Sequence, residues 1–281
     1  MCKNERATGI GAFENGKLQG FLMGLRKMDH TRGRHTWIEY GGHALREGVR
    51  SEVARNMYAR LGDDWVREGY FHHYSLVPAG DLDVIDAWFR LGFGHQQVHA
   101  LLEIPELTEV HADKNITIRL AEESDEMAIR ELAPTIMTYQ AGSPVWAPYM
   151  PEEIRQLKDG YAELLTEEMV KVWVAEDNAK ILGFQAFWPS KPSDTNMITP
   201  EKTIELGVGA TVEEARGHGI GSILVKHGLK EAKSEGYDYC ITDYRMTNLL
   251  SSTFWPKQGF RPIAYRLYRY VDYRVSFGKS K

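Results

Sequence analysis

Apolar and polar positions alternate in short runs along this chain, and between those runs apolar residues recur at helical spacing. LQGFLMG (18–24) and ILGFQAF (181–187) read as strands. Each follows a charged turn, ENGK at 14–17 or EDNAK at 176–180, so each is expected to form half of a hairpin. HTWIEYGG and KTIELGVGA predict one further strand apiece. Val53, Met57, Leu61 and Trp65 share one helical face, as do Ile220, Leu224 and Leu229. Gly69 and Gly236 stand where those helices should stop. YFHHYSLV and YDYCITDY then predict strands. A short helix, a Gly-Phe pair and a last strand follow, HQQVHALLEI in one case and RPIAYRLYRYV in the other.

The order occurs twice because the sequence does. At an offset of 167 residues, Glu68-Gly69-Tyr70 falls on Glu235-Gly236-Tyr237, Trp88 on Trp255, and Gly92-Phe93 on Gly259-Phe260, without a gap. An ordered set of this kind indicates a duplication. The second copy has more in front. ITIRLA (116–121) predicts a strand, and SDEMAIRELAPTIM (124–137) a helix with a partial capping signature at Ser124 and Met127. PEEIRQLKDGYAELLTEE (151–168) predicts a helix opened by proline. The expectation is an α/β fold with mixed sheet, in two tandem domains, 1–110 and 111–281. The first is abbreviated, either by nature or because the start codon is placed too late.

Composition narrows the function classes. A chain of 281 residues with 43% hydrophobic and 26% charged residues has material for a real core. The net charge of −5 argues against a nucleic-acid partner. No apolar run reaches membrane-spanning length, and MCKNERATG lacks the apolar core of a signal peptide. The two cysteines, Cys2 and Cys240, are not expected to pair, which fits a reducing, cytoplasmic setting. The ten histidines show no metal-ligand spacing, and His72 and His73 should face opposite sides of a strand, so no metal is expected.

The chemistry concentrates in RGHGIG, residues 216–221, between a strand and a helix. The first N–H groups of a helix lack partners within it, and the macrodipole makes that end attractive to an anion. Glycines allow positive φ and close approach of a phosphate, and Arg216 adds a charged donor. The dinucleotide fingerprint G-x-G-x-x-G fails because Ser222 stands at its last position, and the GK[ST] of a P-loop is absent. In the first copy VRSEVA (49–54) replaces this loop. Glu52 falls where Gly219 would admit a phosphate, so one cofactor per chain is expected, on the reading that the same turn is made there without glycines.

Arg216-Gly217-His218-Gly219-Ile220-Gly221, followed by Asn248, Phe254, Trp255, Lys257, Gly259 and Phe260, resembles the GCN5-related N-acetyltransferase (GNAT) superfamily. The resemblance covers residues 114–273 and, in degenerate form, roughly 7–105. It implies acetyl-CoA as co-substrate, with pyrophosphate on the loop and pantetheine beside Ala210, Thr211 and Val212. Ser222, Asn248 and Trp255 join Arg216 to Gly221 as implied cofactor residues. An amine would attack the thioester directly, needing a base and a donor for the oxyanion. Glu205 is the expected base, with Asp243 and Tyr244 behind it. The family's tyrosine acid is replaced by Trp255. That leaves Tyr265 or Tyr268 as acid, or a thiolate that departs unaided. Glu213 and Glu214 are expected to face solvent. The segment 138–153, with Tyr139, Trp146 and Tyr149, reads as a long loop walling an acceptor site. The resulting expectation is an acetyltransferase acting on a small-molecule amine, monomeric or homodimeric. A non-catalytic acyl-CoA-binding or scaffold protein, or transfer with another thioester or acceptor, is the alternative.

Overall fold

The computed structural model describes residues 4–106, 115–148, 150–194 and 196–278. The chain opens with β1 (Ala7–Glu14), β2 (Lys17–Asp29), β3 (Gly33–Ile38), β4 (His43–Leu45), α1 (Glu52–Arg67), β5 (His72–Pro78), α2 (Leu82–Phe89) and β6 (Gly94–Glu103). It continues with β7 (Thr117–Leu120), α3 (Glu126–Leu132), α4 (Thr135–Ala141), α5 (Pro151–Glu163), β8 (Lys171–Asp177), β9 (Lys180–Ser190) and β10 (Thr203–Thr211). It ends with α6 (Ile220–Ser234), β11 (Tyr239–Arg245), α7 (Leu249–Lys257), β12 (Arg261–Tyr270) and α8 (Val275–Gly278).

The duplication survives in the backbone. Shifted by 167 residues, the bounds of β5 become those of β11 and the bounds of β6 those of β12. The two compact units, however, do not follow the boundary expected near residue 110. One comprises residues 1–99, 192–198 and 262–281, and the other 100–191 and 199–261. Hydrogen bonding gives the reason. In the first unit β12 runs antiparallel to β5, from Ala264 opposite Pro78 to Tyr270 opposite His72. In the second, the residue after β6 stays tied down, with Ile104 N–H donating to the Asp238 carbonyl. The last strand of a repeat therefore need not belong to the unit that holds the rest of it.

The first unit orders its strands β1-β2-β3-β5-β12, with β3 and β5 parallel. Its core joins α1 and α2 to one sheet face through Leu22, Ile38, Met57, Leu61, Trp65, Val77 and Trp88. The predicted α1 stripe accounts for this: Met57, Leu61 and Trp65 are buried and Val53 packs at the edge. Trp65 is fully buried, yet its indole N–H still donates to Thr8 Oγ1 at 2.7 Å. His73 and His72 do face opposite sides: His73 meets Tyr58 at 2.6 Å and His72 meets Tyr268 at 2.7 Å.

The second unit orders its strands β11-β10-β9-β8-β7. Its core sets Ile129 and Leu132 against Val172, Val174, Phe184 and Ala186. The predicted helix over 124–137 is two helices, broken at Ala133-Pro134 because proline cannot continue the hydrogen-bond ladder. Its start is not set by Ser124 and Met127. Glu122 and Asp125 form the capping box instead, and Arg119 holds Asp125 by two bonds of 2.7 and 2.9 Å. That bidentate pairing holds the Asp125 carboxyl below its ordinary range. The helix predicted over 151–168 ends at Glu163.

Trp65→Ala removes one of the two tryptophans of the first core together with its hydrogen bond to Thr8. We expect a loss of about 3–5 kcal/mol in chemical denaturation, against less than about 1 kcal/mol for Trp146→Ala at an exposed position.

Candidate functional site

The site is built on a parting of strands. β10 and β11 pair in parallel at Thr203–Tyr239, Ile204–Cys240 and Glu205–Ile241, and there the register ends. Both strands run on, to Thr211 and Arg245. Thr242 Oγ1 donates to the Leu206 carbonyl at 2.9 Å just as they separate. On its other edge β10 stays paired with β9 as far as Thr211–Gly183, and Val212 N–H still donates to the Leu182 carbonyl at 2.8 Å. One edge of β10, carrying Ala210 and Thr211, is thus held by its sheet while the other opens into the gap.

A bulge sits at the parting. β10 slips register between Leu206 and Val208, leaving Gly207 as the extra residue. A side chain there is excluded, because a Cβ on Gly207 would lie 1.7 Å from the Trp188 ring. Trp188 is paired in register with Glu205, and the Glu205 carboxylate accepts hydrogen bonds from Trp188 and Ser190. Burial pushes the Glu205 carboxyl above its ordinary range, and the Asp243 carboxylate pushes in the same direction against those two bonds. Sequence reasoning found Glu205 but missed Gly207, Trp188 and Ser190. The available signal was a glycine inside a strand, which marks bulges and close approaches.

After β10 the chain makes one short turn at Glu213–Ala215, with Glu213 and Glu214 exposed as expected, and enters the glycine loop. Arg216 is extended at φ −67° and ψ 145°. Gly217 and Gly219 take φ of +79° and +84°, the left-handed region that side chains resist, and a Cβ on either would meet nothing within 4 Å. Gly219 is the N-cap of α6 and supplies no side-chain bond, so the first N–H groups of that helix, from Ile220 to Ser222, have no cap. At Gly221, by contrast, a Cβ would only make ordinary contact with the Phe254 ring, at 3.4 Å. Ile220 sends its side chain into the core, leaving only its backbone toward the loop. His218 is exposed, and Ser222 Oγ accepts from Gln258 Nε2 at 2.9 Å. From β9, Gln185 Nε2 donates to the Gly221 carbonyl at 3.3 Å and ties the helix start to the sheet. Gln185 was not singled out from the sequence.

The expectation that the first copy makes the same turn without glycines is corrected. There Ser51 lies in the right-handed region (φ −59°, ψ −20°) and α1 begins one residue earlier, at Glu52. Glu52 pairs with Arg55 at 2.8 Å and also with Arg90. The glycines therefore serve turn geometry and access together, since without them the turn is a different one.

Asn248 and Trp255 stand at and within α7. Asn248 is buried, and its Oδ1 accepts from Leu250 and Ser251 N–H, both at 3.1 Å, so its carbonyl is committed to capping. Trp255 packs edge-on against Phe254 and Phe260, with ring centroids 4.9 and 5.4 Å away. Tyr265 is a residue of the first unit, its ring 4.2 Å from His95 and packed against that unit's core. Tyr139 lies on α4 and not in a loop, half-buried. Trp146 is 72% exposed at φ +47°. The loop folds back on α4, with Ala147 N–H on the Gln140 carbonyl at 2.8 Å. Tyr149 lies outside the described residues.

This arrangement has counterparts. Residues 129–260 match the model of the acetyltransferase (GNAT) family. No curated protein matches the chain. Among solved structures, a GCN5-related N-acetyltransferase from Sphaerobacter thermophilus is similar at 12% identity and a TM-score of 0.56, over 91% of this chain and 77% of that one. A tandem GNAT protein from the clavulanic acid biosynthesis pathway is similar at 14% identity and 0.53, over 94% and 82%. A GCN5-related N-acetyltransferase from Kribbella flavida gives 12% and 0.51, over 89% and 86%. At these identities the structures speak for the fold, and the family model supplies the assignment.

The raised Glu205 pKa has a sign that can be checked. A carboxyl easier to protonate when folded makes stability fall as pH rises from its unfolded to its folded pKa. Glu205→Gln should therefore be at least as stable as the parent at pH 7 and flatten that part of the pH–stability curve. Asp243→Asn should move the Glu205 titration, followed by carbon-13 NMR, to lower pH. The region 129–260 of this chain is an acetyltransferase domain of the GNAT family.

Proposed function

We propose that the second unit binds acetyl-CoA and transfers the acetyl group to the amine of a small molecule. The observation that carries the reading is the separation of β10 from β11 beyond Glu205, with an uncapped helix N-terminus at its far end. An extended pantetheine arm fits such a gap because it can bond the open peptide groups of β10 around Ala210, Thr211 and Val212 as an added strand would. The diphosphate of CoA then meets the N–H groups of Ile220, Gly221 and Ser222 and the Arg216 guanidinium. His218 flanks that position, and Trp255 and Asn248 shape the α7 side of the same site.

Glu205 is the base in this reading. An ammonium must lose a proton before its nitrogen can attack the thioester carbonyl, and a carboxylate whose pKa is raised toward neutrality is better matched to that task than an ordinary one. Attack forms the carbon–nitrogen bond and places negative charge on the carbonyl oxygen; the carbon–sulfur bond then breaks, CoA leaves as thiolate, and the nitrogen releases its extra proton to water. The bulge at Gly207 turns backbone groups of β10 out of the ladder, where an N–H can meet that oxygen. A thiol's ordinary pKa lets the thiolate leave without an acid, in keeping with a site whose α7 offers tryptophan where a phenol would donate. Tyr139 and Trp146 are proposed to line the acceptor side, which suits an amine with an apolar body.

Acetyl-CoA should raise the melting temperature of the intact chain, since a ligand bound only by the folded state must stabilise it. Gly219→Glu should abolish the shift. Gly219→Ala carries the same backbone strain without the charge and should retain part of it. No stabilisation of the parent at millimolar acetyl-CoA would overturn the cofactor assignment. If binding holds, Glu205→Gln should lower kcat for thiol release in an amine panel by about 100-fold with little change in acetyl-CoA affinity.

A further inference from the structure

The hairpin of β1 and β2 in the first unit has a counterpart in the hairpin of β8 and β9. A shift of 163 residues carries Glu14 onto Asp177 and Lys17 onto Lys180. The turns match as well: Asn15 and Gly16 have φ of +50° and +76°, Asn178 and Ala179 +48° and +64°. The outer edges differ. In the second copy β7 covers the outer edge of β8, from Thr117 opposite Glu176 to Leu120 opposite Trp173. Those β8 residues correspond to Ile10–Phe13. Among the described residues β1 pairs with β2 alone, so in the first copy this edge is open.

β1 lacks the usual protection of such an edge. Edge strands are guarded against pairing with another chain by lysine, proline, a bulge or short length. From Ala7 to Phe13 no residue is charged and none is proline. β1 has eight residues, and the register slip beside it places the extra residue, Gln19, on β2. β7, by contrast, ends its own sheet with four residues and the charged Arg119. The backbone fixes which groups are on offer. Arg26 N–H donates to the Arg6 carbonyl at 2.9 Å, in line with the register that sets Thr8 opposite Gly24. Antiparallel bonding alternates, so Thr8, Ile10 and Ala12 bond β2, while Gly9, Gly11 and Phe13 turn their N–H and C=O groups outward. The side chains of Thr8, Ile10 and Ala12 lie on the α1 side: Thr8 Oγ1 accepts from Trp65, and Ile10 and Ala12 pack against the first core.

We infer that β1 pairs with β1 of a second copy of this chain, antiparallel about a two-fold axis at Ile10. In that register Gly9 exchanges backbone bonds with the partner's Gly11, and Phe13 N–H donates to the partner's Ala7 carbonyl, as the outward set requires. Ile10 meets the partner's Ile10 in the closer, non-bonded kind of pair. Arg6, in the turn before the strand, comes opposite the partner's Glu14. Both are exposed, and neither is in an ion pair among the described residues. A two-fold at Gly9 or at Gly11 also keeps the outward groups paired, but it opposes Arg6 to the partner's Ala12, or Glu14 to the partner's Thr8, and leaves the charges unmatched. The occupant is a second copy because one sequence supplies both halves of the charge match and both halves of the Ile10 contact. The contact does not rest on acetyl-CoA binding and is tested without it.

Sedimentation velocity of the intact chain over a range of concentrations should show a monomer–dimer equilibrium. Gly11→Pro removes an outward N–H and no bond to β2, and should abolish the dimer while keeping the parent's circular dichroism spectrum. Glu14→Arg sets like charges opposite each other twice in each dimer and should raise the dissociation constant about 10-fold. Arg6→Glu should do the same, and the double variant Arg6→Glu with Glu14→Arg should return it to the parent's value. Lys180→Glu, the same charge change at the matching exposed turn of the second copy, should leave it unchanged. The charge variants alter exposed side chains only, so they decide the question if the proline variant does not fold. The inference is overturned if the chain stays monomeric at millimolar concentration, if a dimer survives Gly11→Pro in a folded chain, or if the double variant fails to restore what the single ones lose.

Discussion

The rest of the second unit depends on one constraint: β10 cannot pair with β11 beyond Glu205 while it remains bonded to β9 as far as Val212. A strand in the middle of a sheet normally satisfies both edges, and an unpaired interior edge is unfavourable unless something else supplies the bonds. Three features hold this edge open. The Gly207 bulge shortens the β9 side of the register and turns the strand. The Trp188 ring lies against the bulge where any Cβ would collide. Thr242 bridges to the Leu206 carbonyl at the point of separation. The gap is a property of side chains on β9 and β11 as much as of β10 itself.

The two copies show how the same frame is put to different use. In the first, β3 pairs with β5 from His35–His72 to Ile38–Ser75, and the chain then breaks away to pair with β2 through β4. The imidazole of His43 reaches back to the Leu76 carbonyl. A side chain of this protein thus occupies that edge group of β5. Glu52 does the same at the helix start, where its carboxylate, held by Arg55 and Arg90, sits close to where an anion would otherwise be attracted. The glycines are absent here, and the histidine and the glutamate stand where the second copy has Ala210 and Gly219.

Much of this was legible in the sequence, for identifiable reasons. Local periodicity and glycine placement carry element identity, so α1, α6 and the strands around them fell where the pattern put them. The 167-residue offset reproduced the bounds of β11 and β12 because duplicated segments keep their hydrogen-bond partners even as side chains diverge. The misses share a cause: they depend on partners distant in sequence. Arg119 fixes the α3 start through Asp125, Trp188 makes Gly207 obligatory, and hydrogen bonding to β5 carries β12, with Tyr265, into the first unit. None of these pairings leaves a local trace, although a glycine in mid-strand is a partial one.

Glu205 illustrates why site chemistry lags behind fold in such a reading. The sequence marks a glutamate on a strand, and most such residues are solvated. What makes this one reactive in the proposed mechanism is that burial and the Asp243 carboxylate both disfavour its charged form, while Trp188 and Ser190 bond the charged form and limit the shift. The balance matters more than any single contributor. Stronger hydrogen bonding would restore an ordinary carboxylate, too weak a base for an ammonium. Deeper burial would leave it protonated at neutral pH and unable to accept. Glu205 stands at the last position where β10 pairs with β11, so both the sheet's burial and its hydrogen bonds act on the carboxyl there.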